Sequence, residues 1–342
     1  MISLSLADWD LLLRQARCAS LLPSLRVLLD ENGLIEQAPP QPREHLEWSR
    51  ALSERHAQAV RWEVMLIRDA LKKTGAPIIL LKGAAYVLAK LPFAQGRLFS
   101  DIDIMVPKAS LNEVEAALML HGWAISDLDA YDQRYYRTWM HELPPMQHVQ
   151  RMTVIDVHHA ILPETARLHP DPEKLRNAAQ KLDGFEDLRV LAPVDMVLHS
   201  ATHLMHEGEL HNGLRDLVDI DRLLRHFSTQ PSFWPALAQR AKELGLTRPL
   251  FYVLRYAVQI LQTPVPEDAV EAAKAGSPNR FTLAIMDALF SRALMPDHPS
   301  CTDWLTGISR WLLFVRANWL RMPPILLARH LFHKAFISKK TE

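Results

Sequence analysis

The stretch Ser100-Asp101-Ile102-Asp103-Ile104-Met105-Val106 constrains the fold of this chain more than any other. Its β-branched and aliphatic residues suit a buried strand, yet two carboxylates interrupt it. On a strand, alternate side chains share a face, so Asp101 and Asp103 project together while Ile102 and Ile104 point the other way. Like charges held that close repel, and each raises the other's pKa unless a cation lies between them. Hard oxygen ligands at this spacing suit Mg²⁺ or Mn²⁺, which commonly work with one or two carboxylates plus substrate phosphates. The segment therefore points to metal-assisted phosphoryl or nucleotidyl chemistry.

Such chemistry with two metal ions needs a third carboxylate, approaching from a neighbouring strand. Asp156 is the candidate. It lies between Ile155 and Val157 in Met152–Ile161, a second strand candidate, where an unpaired carboxylate is costly without a cation. Upstream, Ile78–Leu81 reads as a short buried strand, followed by Lys82-Gly83 and a predicted helix over Ala84–Lys90. A glycine there lets backbone approach a phosphate closely, and the helix N-terminus offers free N–H groups to an anion.

The chain has 342 residues, enough for two or three domains. Its 39 basic and 39 acidic residues cancel, so nothing global demands nucleic acid as a partner. Cys18 and Cys301 lie far apart, which excludes a disulfide scaffold and fits a reducing cytoplasm. No apolar run approaches the length that crosses a bilayer, and Met1–Asp10 lacks the basic start of a secretory signal. Helical spacing dominates residues 1–75, with a turn-rich break at Gln37–Pro42, and again from Pro193 almost to the end. Ser110 is the expected N-cap of Leu111–His121, with Glu113 completing a capping box. The expected architecture is α+β: a small mixed sheet over residues 76–192, flanked by a helical region at 1–75 and another at 193–342.

Taken together, the motifs resemble the nucleotidyltransferase superfamily with a DNA polymerase β-like core. In detail the chain is similar to an uncharacterised bacterial nucleotidyltransferase family. The carrying residues are Leu81-Lys82-Gly83, Arg97, Asp101-Ile102-Asp103 and Ile155-Asp156-Val157-His158, within roughly residues 75–230, together with Asp195, His199, His203 and Asp216. The resemblance implies transfer of a nucleoside monophosphate from an NTP to a hydroxyl, with release of pyrophosphate. It implies two Mg²⁺ or Mn²⁺ ions at Asp101, Asp103 and Asp156. Lys82, Gly83 and Arg97 would hold phosphates, with Lys82 and Arg97 alternatively pairing with carboxylates for structure, Ser100 flanks the site, and His158 would contact a ligand carboxylate, the triphosphate or the acceptor. Two features depart from the superfamily pattern: Ala84 stands where Gly or Ser is preferred, and the long Gly83–Asp101 gap implies an extended loop around Leu91–Gly96.

Other readings stay open. The fold could bind nucleotide without turnover. His199, His203, His206 and Glu207 on one predicted helix, with His158 and His159, suggest a metal-dependent hydrolase, although no His-Glu-x-x-His order occurs. Asp216 and Asp219 read as solvated helix-face charges, with Asp216 the more expected exception. From Trp304 to Thr341 there is no acidic residue, while Arg310, Arg316, Arg321, Arg329, Lys334, Lys339 and Lys340 alternate with aromatic and aliphatic residues. That tail reads as a C-terminal helix pair broken at Pro323-Pro324, or as a surface for peripheral membrane or protein contact. The expected acceptor is a sugar, small molecule or protein rather than nucleic acid, and the expected location is cytoplasmic.

Overall fold

Three helices precede the sheet in a computed structural model that describes residues 4–125, 130–324 and 327–328. They are α1 (Leu6–Cys18), α2 (Leu22–Glu31) and α3 (Pro40–Leu71). Helix α1 starts at a capping box: the Asp8 N–H donates to Ser5 Oγ, and the Ser5 N–H donates to the Asp8 carboxylate. The long helix α3 carries proline in its first turn, where a missing N–H costs nothing.

The sheet region runs β1 (Ile78–Leu80), α4 (Lys82–Leu88), β2 (Asp101–Met105), α5 (Leu111–Leu120), β3 (Trp123–Ile125), α6 (Ala130–Trp139), β4 (Met146–His148), β5 (Val154–His158), α7 (Pro172–Ala178), β6 (Gln180–Lys181) and β7 (Leu188–Val190). One seven-stranded sheet results, in the order β3-β4-β5-β2-β1-β7-β6. It is mixed, as expected. Strand β2 is central, parallel to β5 and antiparallel to β1, and β1 is parallel to β7. Helices α8 (Pro193–His206), α9 (Gly213–Phe227), α10 (Phe233–Glu243), α11 (Thr247–Leu261), α12 (Glu267–Ala273), α13 (Arg280–Ala293) and α14 (Thr306–Arg321) follow. The class is α+β with helical flanks on both sides of the sheet.

The two faces of β2 and β5 divide as the alternation dictates. Ile102, Ile104, Ile155 and Val157 are buried in one apolar core with Val60, Val64 and Ile67 of α3 and Val114 and Leu118 of α5. The register pairs Asp103 with Asp156 and Met105 with His158, so the acids of both strands face the opposite side. Helix α8 is fastened near its start by Asp195, which accepts from Arg240 Nε and Nη2 of α10 at 2.8 and 2.9 Å.

Two local expectations differ from the structure. Ser110 does not cap α5: it ends a 3₁₀ turn over Lys108–Ser110 with φ −91° and ψ −5°, and its side chain makes no capping bond. An N-cap needs extended backbone, which this continuous turn does not supply. The Gly83–Asp101 gap is not an extended loop either. Pro92–Gly96 forms a 3₁₀ turn packed on the N-terminal helices, where Ser24 Oγ donates to Gly96 O at 2.6 Å and Ser53 Oγ to Gln95 O at 2.7 Å. A Cβ on Gly96 would stand 2.9 Å from Ser24 Cα, so only glycine allows this approach.

In the basic C-terminal part, Arg310 pairs with Asp297 at 2.7 Å, and Arg316 turns inward to donate to Met205 O at 2.8 Å. Arg329, Leu331, Phe332, Lys334, Phe336, Lys339 and Lys340 lie outside the described residues. No described helix is long and apolar enough to cross a membrane.

Ile104 is 0% exposed at the centre of the sheet, whereas Leu120 at the end of α5 is 86% exposed. Ile104→Ala is expected to cost about 2–5 kcal/mol through lost burial and a residual cavity. Leu120→Ala should change stability by less than about 0.5 kcal/mol. Urea unfolding of the two variants beside the wild type measures the difference.

Candidate active site

Asp101, Asp103 and Asp156 converge. One carboxylate oxygen from each lies within 4.8 Å of the other two, on the polar side of β2 and β5. Their surroundings differ sharply, which separates their chemistry. Asp101 is exposed and accepts from Ser100 Oγ at 2.6 Å. Asp103 is buried, with its Oδ1 3.8 Å from Lys82 Nζ and 3.1 Å from His158 Nε2. Burial alone would raise the Asp103 carboxyl, but Lys82 and His158 together hold it well below the usual carboxylate range.

Asp156 bears the opposite load. Burial, then the neighbouring charges of Asp103 and Glu142, push it up to about 7. Its Oδ1 is closed off from solvent and has no hydrogen-bond partner. Three converging carboxylates, one of them with a buried, unpartnered oxygen, are a donor set that suits a hard divalent cation. The three aspartates therefore fit the Mg²⁺ or Mn²⁺ role expected of them.

Lys82 reaches Asp103 from the first position of α4, directly after β1. Its φ of 40° lies in the left-handed region, which a lysine adopts at a cost of about 1–3 kcal/mol. The adjoining Gly83 is tightly surrounded: a Cβ there would meet Arg97 Nη1 at 2.3 Å and Phe99 Cδ1 at 2.6 Å. Its bareness is thus used by the side chains of Arg97 and Phe99. Arg97 donates from Nε to Asp219 Oδ2 at 2.7 Å and lies over the rings of Phe99 and Tyr86. Asp219 is accordingly not the solvated helix-face charge its sequence position suggests; it is 9% exposed and neutralised by Arg97. This pair ties α9 to the segment entering β2.

His158 bridges two acids. Its Nε2 faces Asp103 and its Nδ1 lies 3.1 Å from Glu142 Oε2. Burial disfavours its charge, but the Asp103 hydrogen bond and the Glu142 charge outweigh that and raise its pKa. Glu142 carries no sequence signal of its own. It sits in the irregular run His141-Glu142-Leu143-Pro144-Pro145, and only the observation that two prolines bar a helix there hints that it borders a strand.

Two cavities meet at Lys82, Asp101 and Asp103. The first, of about 320 Å³, extends past Gly83, Arg97 and Ser100 to His203, Arg215 and Asp216 of α8 and α9. The second, of about 260 Å³, extends past Asp156 and His158 to His141 and Glu142. His203 borders both, 3.5 Å from Glu207 and 4.0 Å from Asp216. His199 is buried, and its burial holds it neutral. Among the described residues, the histidines of α8 do not converge with a third ligand on one point; the groups that do are the aspartates and His141, Glu142 and His158.

A comparison with protein families matches residues 5–262 to a family described as uncharacterised nucleotidyltransferase. The chain belongs to that family. No curated protein and no solved structure matches it. The nucleotidyltransferase match reaches beyond the span of roughly 75–230 that carries the sequence motifs. It takes in α1 to α3, of which α2 and α3 hold the 3₁₀ turn before Arg97, and it ends where α11 ends.

A divalent cation on these aspartates would act on stability in a pH-dependent way. Without an ion, Asp156 holds its proton more tightly in the folded state than in the unfolded chain. That contribution to stability is complete below the ordinary carboxylate pKa near 3.8 and is lost as pH rises through about 7. Buried His199, His203 and His206, with lowered pKa values, act in the opposite sense, so the informative quantity is the increment produced by a cation. Mg²⁺ should raise the melting temperature more at pH 8 than at pH 5.5, and EDTA should abolish the difference. Equal increments at both pH values would contradict a site built on Asp156.

Proposed function

We propose that this nucleotidyltransferase moves a nucleoside monophosphate from an NTP to a hydroxyl-bearing acceptor, with two divalent ions held by Asp101, Asp103 and Asp156. The observation that carries the reading is the convergence of the three carboxylates, with the Asp156 Oδ1 buried and unpartnered. Two Mg²⁺ or Mn²⁺ ions bound there would stabilise charge developing on the transferred phosphoryl group and lower the pKa of the attacking hydroxyl.

The chain's own residues divide the remaining work. Asp103 is kept ionised by Lys82 and His158, so it is ready to serve as a ligand without first losing a proton. Lys82 stands where the two cavities meet, and there it can also neutralise a phosphate. The first cavity, with Gly83, Arg97 and Ser100 on its wall, receives the triphosphate. Because Arg97 is paired with Asp219, its part is to shape that wall and hold α9 against it, rather than to offer a free charge. In the transfer, the acceptor oxygen bonds to the α-phosphorus as the bond to the bridging oxygen breaks, and pyrophosphate leaves. The acceptor's proton leaves to solvent water as the ions lower the hydroxyl's pKa.

The second cavity supports an acceptor of modest size. Glu142, Glu207 and Asp156 border it, and its volume of about 260 Å³ is small. A sugar, a small molecule or an exposed protein side chain suits such a space. Nucleic acid suits it poorly, because a space of that volume takes one small group rather than a polymer strand.

The test is transfer from α-labelled NTPs, each with Mg²⁺ or Mn²⁺, into a cell extract. Wild type is expected to label a discrete product. Asp101→Ala/Asp103→Ala, checked for folding by circular dichroism, should give no label above background. NTP binding without transfer would identify a nucleotide-binding protein that does not turn over. Absence of NTP binding would overturn the nucleotide reading.

A further inference from the structure

Beside the aspartates lies a second convergence, of a different chemical kind. The segment after α6 brings His141 and Glu142 against the end of β5, and main-chain bonds hold it there. The His159 N–H donates to His141 O at 2.8 Å, the Leu143 N–H donates to Val157 O at 2.9 Å, and Glu142 forms an isolated antiparallel bridge with His158. One donor atom each from His141, Glu142 and His158 lies within 4.8 Å of the other two. That is near the spacing of ligands that share one ion at about 2.0–2.2 Å. The backbone is already pinned, so closing onto an ion falls to the side chains.

Three further observations point to a ligand rather than to a packed cluster. The Nδ1 atom of His141 is shut off from solvent and has no hydrogen-bond partner. His141 stands beside His158 with ring centres 5.3 Å apart, so a cation between them would be shared by two imidazoles. The remaining nitrogen of His158, Nε2, lies 3.1 Å from Asp103 Oδ1. A metal-bound histidine almost always gives its second ring nitrogen to a carboxylate, which fixes the ring and raises its basicity.

We propose that His141, Glu142 and His158 form a second metal site, for a first-row transition cation such as Zn²⁺, distinct from the Mg²⁺ or Mn²⁺ site of the aspartates. Two imidazoles and one carboxylate suit Zn²⁺, Co²⁺ or Fe²⁺, whereas Mg²⁺ prefers oxygen ligands throughout. Three protein ligands leave a fourth position open to the cavity that the site shares with Asp103 and Asp156. Asp103 is then a ligand in one site and the orienting partner of His158 in the other, so the two sites are mechanically joined. The inference does not depend on the transfer reaction.

Co²⁺ tests it, because its visible absorption reports the ligand set directly. The full chain, stripped of metal, would be titrated with Co²⁺ and then with Zn²⁺ as competitor. One Co²⁺ per chain should bind with the strong absorption of a four-coordinate site, and Zn²⁺ should displace it. Glu142→Gln and His141→Asn, each confirmed as folded, should weaken binding at least about tenfold. Asp101→Asn, which removes an aspartate from the other group, should leave the absorption unchanged. If Asp101→Asn abolishes the Co²⁺ signal while Glu142→Gln retains it, transition ions bind only at the aspartates and the proposal fails. If no variant or wild type binds Co²⁺ or Zn²⁺, His158 is an imidazolium bridging two carboxylates, and the proposal fails equally. Loss of NTP transfer with Co²⁺ binding intact would count against the transfer reading alone.

Discussion

Asp103 and Asp156 are paired across neighbouring parallel strands, and two carboxylates buried side by side must be matched by positive charge. Most of what surrounds the sheet can be read as the answer to that requirement. Lys82 is carried to Asp103 by a left-handed backbone turn at the end of β1, and His158 by the strand alternation of β5. The Lys82 charge and the His158 ring secure Asp103 and leave Asp156 uncompensated, with one oxygen unpartnered. The divided outcome, one acid held ionised and its neighbour pushed up to about 7, is a familiar way for one site to prepare two carboxyls for different tasks. In the function proposed above, a cation from solution completes the balance.

The same economy links distant parts of the chain. Arg97 and Asp219 bring α9 to the segment before β2, and the 3₁₀ turn that delivers Arg97 is held by Ser24 of α2 and Ser53 of α3. The N-terminal helices thus shape the wall of the first cavity without contributing a residue to it. This explains physically why a nucleotidyltransferase family extends across α1 to α3 although the acidic motif lies far downstream.

The central strand pair was legible in the sequence because its signal is local. Asp101 and Asp103 alternate with isoleucines, and Asp156 sits between Ile155 and Val157, so period two announces both the strand and its polar face. The strands β3, β4, β6 and β7 were not legible: they are two or three residues long and owe their pairing to neighbours rather than to periodicity. Glu142 was hidden for a related reason, since only the fold brings an irregular segment against β5. Asp219 misled because a helix-face charge looks the same in sequence whether it meets water or a buried arginine. Ser110 misled because its capping spacing was intact while its backbone was not extended.

The most direct measurement is the position of Mn²⁺, by anomalous diffraction, in crystals grown with a non-hydrolysable NTP analogue. Ions between Asp101, Asp103 and Asp156, with the phosphates reaching Lys82 from the first cavity, are the expected result. Mn²⁺ bound away from these three carboxylates, or phosphates lodged elsewhere, would contradict it.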